Sequence, residues 1–317
     1  MTSGLQIVGG LVLLIGGADV LVRAGAGLAS WLGIRPMMIG LTVVSLGTSV
    51  PELAVGIDAV LGGNSGLAVG NIVGTNLVNL LLILGLSAAL VPIALDRATL
   101  RFDLPAMTAA ALVLFLLSLD GKLTRPDGII LLLGGVAYTA GLVQASRRET
   151  AAGGTAAGAE ATSRRPPVRE VLVMLAAIAV VVAGAELLVD GAVASAGKLG
   201  VSEAIIGLTI VAIGTSAPEL VTTIVSTLRG DRDLAVGNLI GSSIYNIVAV
   251  LGLTVVVAPH GIPVPDVVLA ADLGLLVVVT AAAVPVFLTG SRISRVEGGV
   301  FVAGYVVYLT WLLLTRT

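Results

Sequence analysis

Long apolar runs separated by short polar breaks dominate the chain. Crossing about 30 Å of hydrocarbon takes about 20 residues of helix, and ten stretches meet or approach that length: 5–29, 37–61, 66–91, 104–119, 128–145, 171–196, 204–228, 234–258, 267–288 and 298–314. The fourth is short, with poorly marked ends. Backbone polar groups have no water to bond at this depth, so the runs predict helices, broken only where protein surrounds them. The first run lacks a basic leader and a small-residue cleavage pattern, and reads as a permanent helix, not a signal peptide. Between the fifth and sixth runs, residues 147–169 are rich in Ala, Gly, Thr and Arg, with Pro166 and Pro167 near the end. That composition builds no core and predicts a flexible tether.

The pattern repeats. Gly40-Leu-Thr-Val-Val-Ser-Leu-Gly-Thr-Ser-Val-Pro-Glu-Leu53 aligns with Gly207-Leu-Thr-Ile-Val-Ala-Ile-Gly-Thr-Ser-Ala-Pro-Glu-Leu220, ten of fourteen positions being identical at an offset of 167. The same offset, without a gap, places Leu67-Ala-Val-Gly-Asn-Ile-Val-Gly-Thr-Asn-Leu-Val-Asn79 on Leu234-Ala-Val-Gly-Asn-Leu-Ile-Gly-Ser-Ser-Ile-Tyr-Asn246. Gly17, Ala18 and Asp19 fall on Gly184, Ala185 and Glu186. Each copy holds five runs, and an odd number makes the second copy enter the membrane from the opposite side. The expected fold is an all-α polytopic membrane protein. Ten transmembrane helices form two inverted five-helix repeats, residues 1–146 and 170–317, around a linker at 147–169. Such repeats place a transport site where the halves meet, near the midplane.

Composition agrees. Of 317 residues, 57% are apolar and 11% charged, and mean hydropathy is +1.10; a soluble domain carries about 25% charge, so a soluble enzyme is excluded. Net charge is −2, which removes the basic footprint of a nucleic-acid binder. There is no Cys, so disulfides and thiolate chemistry are out. Basic residues set the orientation. One side holds Arg35, Arg97, Arg101, Arg147, Arg148, Arg164, Arg165, Arg169, Arg229, Arg232, Arg292 and Arg295. The other holds Lys122, Arg125, Lys198 and Arg316. The first side is read as cytoplasmic and both termini as extracytoplasmic.

Glu52 and Glu219 lie well inside the second and seventh runs, and no Lys or Arg sits within two helical turns of either on its own run. A buried acidic residue costs about 2.5–3.5 kcal/mol on insertion scales, and marks an ion or proton path unless a cation pairs with it. Each Glu follows Gly-Thr-Ser-x-Pro. Pro51 and Pro218 lack an N–H and clash with the preceding turn, so the helix should break just before them; Gly47 and Gly214 add permissive backbone. The break frees carbonyls beside the hydroxyls of Thr48, Ser49, Thr215 and Ser216. Carboxylate, hydroxyl and carbonyl oxygens suit a hard cation such as Ca²⁺ or Na⁺. In the second motif Thr75 and Asn79, like Ser242 and Asn246, are four apart and share a helix face, offering more oxygens opposite the carboxylates. For Asn71 and Asn238, bonding between helices is an equally good reading. The glycines at 66, 70, 74, 237 and 241 read as close-packing positions. Asp19 and Arg23 are spaced for an ion pair. Asp58 reads as solvated near an outer end, and His260 as a loop residue without a metal role. Trp31, Tyr305, Tyr308 and Trp311 read as interfacial anchors or packing. Glu186 and Asp190 have no evident partner.

The doubled Gly-Thr-Ser-x-Pro-Glu and Gly-Asn-x-x-Gly-[Thr/Ser]-x-x-x-Asn motifs resemble the two alpha repeats of the calcium/cation antiporter superfamily, and most resemble its prokaryotic sodium/calcium exchanger branch. The proton-coupled branch usually has Gly-Asn-Ala-x-Glu at the first motif. The resemblance covers essentially the whole chain. It implies an ion-binding set of Ser45, Thr48, Ser49, Glu52, Thr75 and Asn79 from the first copy, with Ala212, Thr215, Ser216, Glu219, Ser242 and Asn246 from the second. Ser45, Thr48, Ala212 and Thr215 would act through their carbonyls. Some relatives carry Asp where this chain has Asn246, which leaves two acidic ligands here. The implied protein is not an enzyme but a secondary antiporter of a prokaryotic plasma membrane. It would exchange Na⁺ for Ca²⁺, with no organic cofactor, no nucleic acid and no obligate protein partner beyond the lipid bilayer. A Ca²⁺/H⁺ antiporter using the same carboxylates is the alternative. The resemblance further implies that the first and sixth spans, carrying Gly16, Gly17, Gly25, Gly27, Gly184, Gly191 and Gly197, slide against the other eight.

Overall fold

The structure is a computed structural model describing residues 2–32, 34–94, 99–151, 167–199, 212–288 and 292–316. It is helical almost throughout. In chain order the helices are α1 (Thr2–Leu32), α2 (Pro36–Leu61), α3 (Gly66–Leu90), α4 (Thr99–Asp103 continuing as Leu104–Leu117) and α5 (Arg125–Ala151). They are followed by α6 (Pro167–Lys198), α7 (Ala212–Thr215 and Ala217–Arg229), α8 (Arg232–Val257), α9 (Val268–Leu273 continuing as Gly274–Leu288) and α10 (Arg295–Arg316). Among the described residues, seven of these are long and apolar enough to cross a membrane. Each of the ten predicted runs lies mainly on helix where it is described, the exceptions being Ser49 and Ser216 within runs and Val91, Ser118, Leu119 and Ala258 at their ends; residues 204–211 of the seventh lie outside the described residues.

The predicted tether at 147–169 is corrected at both ends, since α5 runs on to Ala151 and α6 starts at Pro167. Arg, Glu and Ala are good helix formers, and Pro suits the first helical position because its missing N–H would have no partner there. Residues 152–166 of that tether lie outside the described residues.

Two small antiparallel ladders tie the halves together. β1 (Ile93–Ala94) pairs with β4 (Arg292–Ile293), and β2 (Lys122–Leu123) pairs with β3 (Ile262–Pro263). The main core gathers α3, α4, α5, α8, α9 and α10 with part of α2. Helices α1 and α6 lie outside it, in two smaller clusters that also take in Ile39 and Val44 of α2 and Ala217 of α7. Leu21, Ala24 and Leu28 meet Met174, Ala177 and Ile178 in one, while Leu14 and Ala18 meet Val181 and Ala185 in the other. These two helices run antiparallel in close contact. A Cβ on Gly10 would lie 2.7 Å from the Gly184 carbonyl oxygen, and one on Gly191 would lie 2.8 Å from the Ser3 carbonyl oxygen. Of the glycines expected to matter on these spans, Gly17 and Gly184 make such approaches, whereas Gly16 and Gly197 meet nothing.

The expected Asp19–Arg23 pair is present, and Asp19 also pairs with Arg229 at the end of α7, joining α1 to α7. Asp58 and His260 are exposed, as are Trp31 and Trp311, but Tyr305 is buried and packs in a ladder with Tyr308 and Trp311.

Candidate cation site

Local sequence breaks both site helices at the same place. α2 is interrupted at Ser49 (φ −84°, ψ 8°) and α7 at Ser216 (φ −85°, ψ 5°). Both resume with a proline in the first turn, where its lack of an N–H costs nothing. The Pro51 and Pro218 nitrogens cannot bond the carbonyls of Gly47 and Gly214 four residues back. Glu52 and Glu219 therefore sit in the first turn of a restarted helix, where the positive end of the helix dipole favours a carboxylate. Gly47 and Gly214 serve differently from the sequence expectation, for neither has positive φ. They make room for α6: a Cβ would come within 2.5 Å of Ile178 Cδ1 at Gly47, and within 2.2 Å of Val189 Cγ2 at Gly214.

Opposite the breaks, α3 and α8 change winding. A π-helical stretch covers Val78–Ile83 in α3 and Asn246–Leu251 in α8, one beginning beside Asn79 and the other at Asn246. Such stretches re-aim the side chains at their start and recur at functional positions. Nothing in the sequence pattern signals them.

All the described candidate side chains are buried: Ser45, Thr48, Ser49, Glu52, Thr75, Asn79, Thr215, Ser216, Glu219, Ser242 and Asn246. Ala212 opens the short helical segment Ala212–Thr215, and its side chain lies outside the described residues. The two copies interlock. Ser49 Oγ, from the first, donates to Glu219 Oε1 in the second at 3.4 Å, and Ser242 Oγ reaches the same oxygen at 3.5 Å. Ser45 Oγ donates to the Asn238 carbonyl at 2.9 Å, and Thr48 Oγ1 donates to Asn238 Oδ1 at 3.3 Å. Asn238 Nδ2 then donates to Thr223 Oγ1 at 3.3 Å. For Asn238 the reading as a bond between helices is the one the geometry supports, because it links α2, α7 and α8.

Several of the remaining polar atoms have no partner. Both Glu52 oxygens, Glu219 Oε2, Ser216 Oγ and the amide oxygens and nitrogens of Asn79 and Asn246 have no hydrogen-bond partner among the described residues. Neither glutamate is in an ion pair among those residues. Buried polar atoms are normally satisfied, and each exception needs a reason. Here the orphans are mostly oxygens, include two acids from different copies, and neither acid is paired with a protein cation among the described residues. The arrangement has the chemistry of a dehydrated pocket for a hard cation.

Sequence reasoning missed two further polar pairs. Tyr138 donates to buried Asp103 at 3.0 Å, and Tyr308 donates to buried Asp272 at 3.2 Å. Both carboxylates lie in or beside π-helical starts of α4 and α9. Asp272, alone on the ninth run, offered a signal as an intramembrane acid calling for a partner; Asp103, just before the fourth run and two residues from Arg101, offered none.

A many-helix membrane bundle that buries two glutamates from two sequence copies, with no protein cation paired to either among the described residues, has the character of a membrane cation transporter. Comparison with known proteins narrows this. A family profile described as sodium/calcium exchanger protein matches residues 2–143 and 170–314. The chain belongs to the sodium/calcium exchanger family and is a cation antiporter of the membrane. It is 38% identical over 308 residues to the putative antiporter CaxA of Alkalimonas amylolytica, covering 94% of this chain and 95% of that protein. It is 40% identical over 264 residues to the inner membrane protein YrbG of Escherichia coli (strain K12), covering 82% and 81%. Its fold is similar to that of the sodium-calcium exchanger NCX_Mj, with a TM-score of 0.84 and 27% identity over 100% of this chain and 99% of that one.

Proposed function

We propose that the protein extrudes Ca²⁺ in exchange for Na⁺ by alternating access, both ions using one pocket. The carrying observation is that Glu52 and Glu219 are fully buried and free of any protein cation among the described residues, while Ser49 of the first copy reaches across to Glu219 of the second. Two carboxylates offer a formal charge of −2, which one Ca²⁺ neutralises. Na⁺ is of similar size and accepts the same oxygens. Competition for one ligand set turns the flux into exchange instead of leak. The ligands are Ser45, Thr48, Ser49, Glu52, Thr75 and Asn79 with Ala212, Thr215, Ser216, Glu219, Ser242 and Asn246.

In this reading the chain crosses the membrane ten times as two inverted halves, 1–146 and 170–317, joined by a cytoplasmic linker, with both termini outside and a prokaryotic plasma membrane as its place. Helices α1 and α6 slide as a pair against the rest. Their mutual glycine contacts, and their absence from the main core, support such a unit.

A second reading is favoured by the same pair of acids, which lie close enough to interact electrostatically. Like charges disfavour joint ionisation, so protons could serve as the counter-ion. Reconstituted vesicles distinguish the two. Ca²⁺ uptake that requires an outward Na⁺ gradient is the expected result, and uptake indifferent to Na⁺ but driven by a pH gradient would replace Na⁺ by H⁺. Glu52→Gln and Glu219→Gln are each expected to abolish exchange while leaving the fold intact. Retained flux in both would overturn the site.

A further inference from the structure

The segment Ala217–Arg229 of α7 is divided lengthwise. Ala217, Val221 and Val225 pack towards α1 and α6 with Leu14, Ala18 and Leu188. The opposite face carries Glu219, Thr222, Thr223, Ser226 and Thr227, at i, i+3, i+4, i+7 and i+8, the spacing of a single helix face. All five are buried, and this face looks into the bundle, since Thr223 accepts a hydrogen bond from Asn238 of α8. Thr222 Oγ1, Ser226 Oγ and Thr227 Oγ1 have no hydrogen-bond partner among the described residues. Serine and threonine inside helices usually bond the carbonyl a turn back, as Thr108 and Thr254 do here, so three successive exceptions on one face are unusual.

A second wall shows the same property independently. Helix α7 packs on the last turns of α3, where Ser87 is fully buried and its hydroxyl also lacks a partner among the described residues. At a rise of about 1.5 Å per residue, Glu219 to Arg229 spans roughly 15 Å, which is half the thickness of the hydrocarbon. The line of hydroxyls therefore runs from the midplane carboxylate to the membrane surface. There Gly230, with φ 86°, ends the helix, and Arg229 pairs with Asp19.

The other copy is an internal control. The offset of 167 places Thr222, Thr223, Ser226 and Thr227 on Val55, Gly56, Ala59 and Val60. Gly56, Ala59 and Val60 are buried on the corresponding half of α2 without a hydroxyl among them. Packing next to a broken-helix glutamate thus accepts apolar residues, and packing alone does not account for four hydroxyls on α7.

We propose that Thr222, Ser226 and Thr227 of α7, together with Ser87 of the adjoining end of α3, line a hydrated route for cations between Glu219 and the membrane face carrying Arg229. A cation entering there exchanges its water shell stepwise for hydroxyl oxygens before it reaches the carboxylates. The route belongs to one side only: its counterpart along α2 is apolar, and the hydroxyl against that face, Thr254 of α8, already bonds the Val250 carbonyl. This rests on Glu219 being part of the ion site.

The chain has no Cys, so single cysteines report without background. Thr222→Cys, Ser226→Cys and, as counterparts, Val55→Cys and Ala59→Cys are made in the full-length protein and reconstituted. A membrane-impermeant cationic methanethiosulfonate is added to one face at a time, and Ca²⁺ uptake is read. The expected result is loss of uptake for the first two variants with reagent on the Arg229 face, slowed by Ca²⁺, and none for the counterparts. Insensitivity of both α7 variants from that face overturns the route.

Should a cysteine variant fail to fold, Thr222→Val with Ser226→Ala copies the α2 chemistry. The route predicts unchanged or higher thermal stability with a raised KM for Ca²⁺ presented on the Arg229 face. Higher stability with unaltered KM would reduce the hydroxyls to packing and overturn the proposal. Uptake retained by Glu219→Gln alongside the expected labelling would sink Glu219 as an ion ligand, and with it the destination of the route, while leaving the hydroxyl face accessible. Unlabelled cysteines with an inactive Glu219→Gln would do the reverse.

Discussion

Replacing Gly237 by Ala tests how closely the site depends on the contact between α2 and α8. A Cβ at Gly237 would lie 2.5 Å from the Met37 carbonyl oxygen, 3.0 Å from the Leu41 nitrogen and 3.2 Å from the Gly40 Cα. All three are backbone atoms, so no side-chain rotation relieves the overlap. Ordinary contact begins near 3.4 Å, and the helices must part by roughly 1 Å at this crossing. That shift carries the Ser45 and Thr48 bonds to Asn238, now 2.9 and 3.3 Å, out of range. Overpacking costs about 1–3 kcal/mol, and two lost buried hydrogen bonds add about 1 kcal/mol each. The helix propensity of Ala returns about 1 kcal/mol, leaving a net loss of about 2–4 kcal/mol. The thermal midpoint of the purified protein should fall by several degrees, and Ca²⁺ binding should weaken by about tenfold, equivalent to about 1.4 kcal/mol. Gly16→Ala is the comparison, because that position is exposed and a Cβ there meets nothing. If Gly237→Ala matches Gly16→Ala in both midpoint and Ca²⁺ affinity, the account of this crossing fails.

Ca²⁺ at a hundredfold excess over its Kd should stabilise the folded protein by about 2.7 kcal/mol through mass action; a thermal shift that survives in the double variant Glu52→Gln, Glu219→Gln would place the ion elsewhere. Tyr138→Phe removes the hydroxyl donated to buried Asp103 and should cost about 1–3 kcal/mol in denaturation, with Ca²⁺ affinity unchanged. Asp231 lies in the turn before α8, where burial raises its pKa above the ordinary aspartate value, with Arg229 opposing and Asp233 adding to the rise. The folded state therefore holds this proton more tightly than the unfolded chain, so stability improves as pH falls from above the raised value towards the ordinary one. Asn is as good a helix cap as Asp, so Asp231→Asn should equal or exceed the parent in thermal midpoint at neutral pH and flatten that dependence. A lower midpoint at neutral pH would contradict the sign.

Much of the molecule is legible in the order of its residues. Periodic apolar runs place the helices because hydrocarbon permits few other backbone arrangements. Proline chemistry is local, so the interruptions at Ser49 and Ser216 follow from Pro51 and Pro218. The candidate acids stand out because an uncompensated carboxylate at such depth is expensive. Less visible is the helical extent of 147–151 and 167–169, where a composition resembling a tether also propagates helix. The acids Asp103 and Asp272 lie near helix starts, and only their tyrosines, 35 and 36 residues away, explain their burial.

What the sequence by itself determined is local and periodic: the apolar runs, the doubled motif, the two breaks and the two glutamates at the head of restarted helices. What only the tertiary structure decided is which copy meets which. The bond from Ser49 to Glu219, the seating of Gly47 and Gly214 against α6, the π-helical turns at the asparagines and the inward hydroxyl face of α7 all depend on contacts between segments distant along the chain. The physical reason is that hydrophobic periodicity specifies how much surface a helix must bury, whereas close packing between helices specifies against what.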